Sequence, residues 1–215
     1  MAGSSSRAPG RPPRSPEARA AQRSRLLDGA MVAIRLHGPE VSVDEMATAA
    51  QVSKPVLYSE FGDKSGIAEA IAVELTERSE RRVLGALSES GSVDMTAALR
   101  LAIDGFIDLV TDEPEIYRFI VRSIRATDRG LLDNSLVRTL QARFEEVAGV
   151  LVPDGDPALL RVIAHATFGF MVAAVEAWLA SPEPPRDELV ERLATVLARG
   201  FEAVREKAGP ATGRG

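Results

Sequence analysis

The sequence predicts an all-α fold, and three observations carry that prediction. Apolar residues recur at i, i+3 and i+4 along almost the whole chain, the spacing of one helix face. The period-two alternation of strands is nearly absent. Helix punctuation also falls where such runs need it, with Ser, Asp or Pro ahead of them and Gly or Pro behind. A chain of 215 residues, 45% hydrophobic and 27% charged, buries an ample core without staples. It has no cysteine, which removes disulfides and thiolate chemistry and suits a reducing, cytoplasmic setting.

Taken in order, residues 1–17 are rich in Ser, Pro, Gly and Arg with no apolar run, so they read as a flexible basic arm and not as a signal peptide or anchor. A first helix is expected over residues 16–37, with Ser15 ahead of Pro16 and with Leu26, Leu27, Ala30, Met31 and Ile34 on one face. Gly38 and Pro39 end it. Ser42 opens a short second helix, Glu45 completes a capping box, and the helix stops near Ala50. After the turn Gln51-Val52-Ser53 a third short helix covers residues 54–61 and stops at Gly62.

Asp63 opens a long fourth helix whose stripe of Ile67, Ile71 and Leu75 continues toward Leu84 and Leu87. A break at residues 88–92 precedes a helix marked by Met95, Leu99, Ile103, Phe106 and Val110. Shorter and longer helices follow over about residues 114–124 and 132–151. Asp156 and Pro157 start the next, which runs to Ala180, and Pro184-Pro185 precede the last, residues 187–207. Nine helices are therefore expected, with no internal repeat and a disordered tail at residues 208–215. The charge-free stretch from Val162 to Val175 is shorter than the roughly 20 residues of a membrane span, so a buried helix is expected there and no membrane partner.

Charge is unevenly placed. Residues 1–25 hold six arginines (Arg7, Arg11, Arg14, Arg19, Arg23, Arg25) against Glu17, so of the net −5 this end carries +5 and the remainder −10. A basic end on an acidic body orients a molecule toward a polyanion.

Short helix, tight turn and short helix, flanked by longer helices, make a helix-turn-helix whose third helix enters the major groove. Met46, Ala47, Ala50, Val52 and Leu57 supply the small and apolar residues of the crossing. The run Val52-Ser-Lys-Pro-Val-Leu-Tyr-Ser-Glu-Phe-Gly-Asp-Lys64 resembles the recognition helix and following turn of the TetR/AcrR family, and the likeness covers roughly residues 20–70. Beyond residue 75 only helical layout and length agree.

That resemblance implies a nine-helix TetR-like fold with a DNA-binding domain at residues 18–64 and a ligand-binding and dimerisation domain at residues 65–207. It implies a sequence-specific transcriptional regulator, a repressor released from a palindromic operator by a small apolar ligand. Ser53 is expected to cap the third helix, and Lys54, Pro55 and Val56 to approach base edges. Tyr58 and Lys64 match positions that hold the DNA backbone, and Ser42 and Val43 match backbone or base-flanking contacts. Leu57 and Phe61 are expected in the core. Gln51 stands where the family usually has Gly, which costs about 1 kcal/mol if the backbone there is left-handed. Asp44, Glu45 and Glu60 flank the groove, so affinity is expected to lean on the arginine arm.

Reading a palindrome requires a dimer. From Leu159 to Ala180 only Arg161 and Glu176 are charged, so this helix and the last are the expected partners, through Ala164, Ala166, Gly169, Ala173 and Ala174 and through Leu189, Leu193, Leu197, Gly200 and Phe201. The resemblance places Phe106, Tyr117, Phe144, Phe168, Met171 and Trp178 around an internal effector pocket of apolar or aromatic character, and His165, on the helix expected to be buried, is read either as a ligand contact or, more commonly for such a residue, as a satisfied interior histidine. Two histidines far apart, no glycine-rich phosphate loop and no metal-ligand pair point away from an enzyme, a cofactor or a metal. The alternative reading is a helical ligand-binding or interaction module that keeps a degenerate helix-turn-helix.

Overall fold

The computed structural model describes residues 15–90, 95–125 and 135–206. The arm ahead of Ser15, residues 91 and 92 of the expected break, the helix start expected near residue 132 and the tail from residue 208 lie outside the described residues, and the part of that break at residues 88–90 is corrected, since α4 continues through Ser90. Among the described residues there are nine helices and no strand: α1 Pro16–His37, α2 Val43–Ala49, α3 Lys54–Phe61, α4 Lys64–Ser90, α5 Met95–Asp112, α6 Pro114–Arg125, α7 Ser135–Leu151, α8 Pro157–Ala180 and α9 Arg186–Glu206.

The helix starts follow from local hydrogen bonds. Ser15 Oγ accepts from the Ala18 amide at 3.2 Å, and Asp156 Oδ1 accepts from the Ala158 amide at 2.8 Å. At α2 the capping box is complete, with the Glu45 amide donating to Ser42 Oγ at 3.2 Å and the Ser42 amide donating to Glu45 Oε2 at 2.7 Å. Those bonds to Ser42, aided by His37 and Lys64, hold the Glu45 carboxyl below its ordinary value. Gln51 is left-handed at φ 56°, the strained turn foreseen from its place in the sequence. The turn compensates by using its amides, Gln51 N–H donating to Thr48 C=O at 3.0 Å and Val52 N–H to Ala47 C=O at 2.9 Å.

α1 lies so close to the end of α2 that a Cβ added at Gly29 would sit 2.4 Å from Ala50 Cα. Hence the small residue there. One apolar cluster joins Leu26 to Ile34 of α1, Met46 and Ala47 of α2, Leu57 and Phe61 of α3 and Ile67 to Ala72 of α4, and it continues without interruption into Ile116, Phe119 and Ile120 of α6 and Leu136 and Leu140 of α7. A second cluster gathers Val83 of α4 with α5, α8 and α9 and the end of α7. The fourth helix departs from the expected stripe. Val83 is buried at 4% exposure while Leu84, one step and about 100° further round, is 41% exposed.

Polar links reinforce the same junction. Arg35 donates from Nε and Nη2 to both carboxylate oxygens of Glu113, at 2.7 and 2.6 Å, Arg122 pairs with Glu40, and Thr139 Oγ1 donates to Glu69 at 2.8 Å. A forked Arg–carboxylate pair fixes orientation as well as distance.

α8 is long and apolar enough to cross a membrane by length and composition alone. It has two faces in this fold. Leu160, Ala164, Met171 and Val175 are buried in the second cluster, and Thr167 is buried on the same face. Val162 at 59% and Phe170 at 40% exposure, with Ala166, Gly169 and Ala173, form an outer apolar stripe, and α9 adds Val196 at 57%. The expected pairing residues are therefore divided. Ala164, Leu189, Leu197 and Phe201 belong to the chain's own core, because helical spacing alone does not distinguish an inner face from an outer one when both are apolar. The helix expected to be buried is thus buried along one face by its own chain.

Candidate nucleic-acid interface and cavity

α3 is a short helix with little intrinsic tendency to persist, so its position depends on anchoring. Leu57 at 0% and Phe61 at 8% exposure provide it. With those two facing inward, Pro55 and Tyr58 face outward, Tyr58 at 41% exposure, and Val56 packs partly against the core.

Ser53 occupies the position before the helix with extended backbone, φ −83° and ψ 150°, but its side chain makes no capping hydrogen bond. That corrects the expected cap. The turn closes through the backbone instead, Val56 N–H donating to Ser53 C=O at 2.9 Å. Val43 is 8% exposed and belongs to the first apolar cluster, which corrects the expectation of a side-chain contact from it. The Ser42 hydroxyl donates to Glu45 Oε2 at 2.8 Å as part of the capping box. Lys64, at the start of α4, rests with Nζ 5.5 Å from the Phe119 ring centroid.

Two contacts were not evident in the sequence. Lys54 Nζ lies 2.7 Å from Asp44 Oδ2 and 5.9 Å from the Tyr58 ring centroid. The hydrogen bond to Asp44 raises the Lys54 pKa above its ordinary value. Arg23, counted above with the basic end, donates to Glu60 Oε1 at 3.0 Å and stacks 4.7 Å from the Phe61 ring centroid. It clamps α1 to α3. The partners are ten and 37 residues apart, beyond the reach of any local pattern.

The Asp44–Lys54 pair leads to a prediction. As an exposed pair it adds at most about 1 kcal/mol to stability. Beside a polyanion, however, Asp44 repels phosphate while it holds the one ammonium on the leading turn of α3. Asp44→Asn is expected to leave the melting temperature nearly unchanged and to tighten binding to non-cognate duplex roughly threefold to tenfold. Anisotropy titrations of both proteins at one salt concentration check this, and equal affinities would refute it.

In the other half, residues of α4, α5, α7, α8 and α9 line a partly open cavity of about 80 Å³, several times the space a single water requires. Of the six aromatic and Met residues expected around a pocket, Phe144 and Met171 line it. Phe168 stands behind Phe144, edge-on with centroids 5.4 Å apart. Phe106 and Tyr117 form another edge-on pair at 6.1 Å, with Tyr117 Oη donating to Glu176 at 2.7 Å. Trp178 Nε1 donates to the Pro184 carbonyl at 2.8 Å. These four are not in the lining. His165 is 38% exposed with Nε2 3.7 Å from Glu145 Oε2, a surface contact and not a buried one. The sequence search for aromatic groups missed the polar lining, Thr76, Ser79, Glu80, Arg143 and Thr167. Among the described residues no group of three or more His, Asp or Glu side chains is arranged to hold a metal ion.

Comparison with known proteins gives consistent matches to both halves. Residues 26–71 match the model described as bacterial regulatory proteins, tetR family, and residues 86–212 match tetracyclin repressor-like, C-terminal domain. The chain is 30% identical over 180 residues to an uncharacterized HTH-type transcriptional regulator of Mycobacterium tuberculosis strain H37Rv, covering 80% of this chain and 74% of the relative. It is 28% identical over 152 residues to the HTH-type transcriptional activator FasR of Mycolicibacterium smegmatis, covering 69% and 68%. Among solved structures, the TetR family repressor AlkX from Dietzia sp. strain DQ12-45-1b aligns with a TM-score of 0.64 at 22% identity, over 85% of this chain and 96% of AlkX.

Proposed function

The chain belongs to the tetR family of bacterial regulatory proteins and is a DNA-binding transcriptional regulator, and from that premise we propose that it is a cytoplasmic repressor, paired through α8 and α9, that leaves a palindromic operator when a small apolar molecule fills its cavity. The observation that supports this best is the division of labour within α3. Leu57 and Phe61 fix the helix to the core while Lys54, Pro55 and Tyr58 stand outward on a basic-tipped reader. In this reading Ser42, Ser53, Lys54, Pro55, Val56, Tyr58 and Lys64 meet the duplex, Val43 through its backbone only.

The outer stripe of α8, Val162, Ala166, Gly169, Phe170 and Ala173, supports a second copy as its cover. An apolar patch of this kind on a soluble chain marks an interaction surface. α4 supports the link between ligand and reader. Its 27 residues form a rod about 40 Å long, with Ile67 and Ile71 in the reader's core at one end and Thr76 to Val83 on the cavity wall at the other. Ligand binding that favours one tilt of this rod shifts the population of readers in register with DNA.

Anisotropy against the palindromic DNA beside its own gene tests the reading. Selective, saturable binding is expected, and its absence on every neighbouring sequence would return the chain to a ligand-binding or interaction module. The same titration tests the basic end. Arg7, Arg11 and Arg14 lie in residues 1–14, so deleting that segment is expected to lower the slope of log affinity against log salt by about 2.7 if each meets a phosphate. An unchanged slope would remove the arm from the interface. The name of FasR favours activation as a second reading of the same fold. The sign of a reporter response in a deletion strain separates the two.

A further inference from the structure

The wall of the cavity described above is mostly apolar, with the hydroxyls of Thr76, Ser79 and Thr167 and two charged side chains among its lining. Glu80 and Arg143 are the charged residues on its wall, and they differ in how they are satisfied. Arg143 has both terminal nitrogens engaged, Nη2 donating to Glu77 Oε1 at 2.5 Å and Nη1 to Glu146 Oε2 at 3.3 Å. Glu80 Oε1 is buried with no hydrogen-bond partner. Thr76, a neighbouring hydroxyl on the same wall, does not supply one, because it donates to the Ala72 carbonyl at 2.9 Å.

A buried carboxylate oxygen without a partner lowers stability, and folded proteins rarely keep one without a use. Burial pushes the Glu80 carboxyl up from its ordinary value, with Glu146 and Glu77 adding to the effect and Arg143 and Arg81 opposing it. The folded chain therefore holds this proton more tightly than the unfolded chain. Glu80 favours the fold most at pH below 4.5, and that contribution is lost as pH rises through the raised value. Near neutral pH the site is left under-satisfied.

The geometry points to a ligand that is apolar over most of its length and presents one hydrogen-bond donor, a hydroxyl, an amide N–H or a protonated amine, to Glu80 Oε1. This rests on the cavity being the effector site. Carboxylates are the excluded class. An anion entering here meets Glu80, with Glu77 and Glu146 behind it, and the single guanidinium on the wall already turns its donors toward those two acids. A donor removes the orphaned oxygen, and a cation additionally offsets the local excess of acid.

Calorimetric titration of the full chain with octylamine, octanol and octanoate tests the assignment. Octylamine and octanol are expected to bind at least roughly tenfold more tightly than octanoate. Glu80→Leu should bring the three within about threefold of one another. It should also raise the melting temperature by a few degrees at neutral pH, an effect that a carboxylate with a structural role would reverse. Glu80→Gln keeps an acceptor, so octanol should still bind while the advantage of the amine disappears. Octanoate binding most tightly, or Glu80→Leu melting lower than the parent, overturns the assignment and leaves the cavity as effector site standing. No binding by any of the three overturns the cavity reading itself and this assignment with it.

Discussion

Replacing Gly29 by Ala is expected to destabilise the protein and to loosen the reader, although the change adds only one methyl group. A Cβ at this position would meet Ala50 Cα at 2.4 Å, Ala50 Cβ at 2.6 Å and Ala50 N at 2.8 Å. Two of those atoms are backbone, so no rotamer change relieves the clash and α1 must move away from α2. Helix propensity favours Ala over Gly by about 1 kcal/mol, whereas overpacking against backbone costs about 3 kcal/mol. The clash wins by about 2 kcal/mol, a fall of roughly 4–8 °C in melting temperature for a chain of this size. Operator affinity should fall with it, since the displaced α2 carries Ser42 at its start and supports α3. Trimming the neighbour with Ala50→Gly should rescue little, because Ala50 Cα remains. Gly149→Ala makes the control, as nothing lies within 4 Å of a Cβ there. If Gly29→Ala melts with or above the parent, α1 and α2 are not packed as described.

Placing acid on the outer stripe of α8 is expected to abolish operator binding without unfolding the chain. Val162 and Phe170 are 59% and 40% exposed, so Val162→Glu with Phe170→Glu leaves the chain's own core untouched. Across a two-fold axis every contact occurs twice, so each new acid is set against the apolar and acidified face of the partner at two places. Sedimentation should shift from dimer to monomer, circular dichroism should not change, and affinity for the full palindrome should drop roughly a hundredfold as the linkage between half-sites is lost. Val196→Glu on α9 should act in the same direction. A mutant that stays dimeric would move the interface elsewhere.

Helix order and most boundaries were legible because each start is written locally. Ser15, Ser42 and Asp156 cap through bonds to amides two or three residues on, and such bonds follow from sequence spacing alone. The inward pair Leu57 and Phe61 was legible for the same reason. Three kinds of feature were not. Ser53 matches a cap by position, yet whether its hydroxyl turns toward the amides is set by its surroundings. Both faces of α8 are apolar, so Ala164 in the core and Ala166 outside it look alike in the sequence. Finally, the Lys54–Asp44 pair, the Arg23 clamp and the orphaned Glu80 oxygen arise from helices meeting in space.

The unbroken cluster running from α1 through α6 into α7 limits how the protein can be recombined. A cassette cut after residue 64 would carry Leu57, Phe61 and Met46 away from Ile116, Phe119 and Leu136, which belong to the same apolar cluster, and would strip Arg35 of Glu113. Transplanting this reader onto a foreign sensor therefore transfers an open hydrophobic underside. Chimeras that swap operator choice between relatives should instead keep α6 and the first turns of α7 with the reader, or graft only the outward residues of α3. New DNA specificity in this lineage is thus reached more easily by substituting a few surface side chains than by exchanging domains.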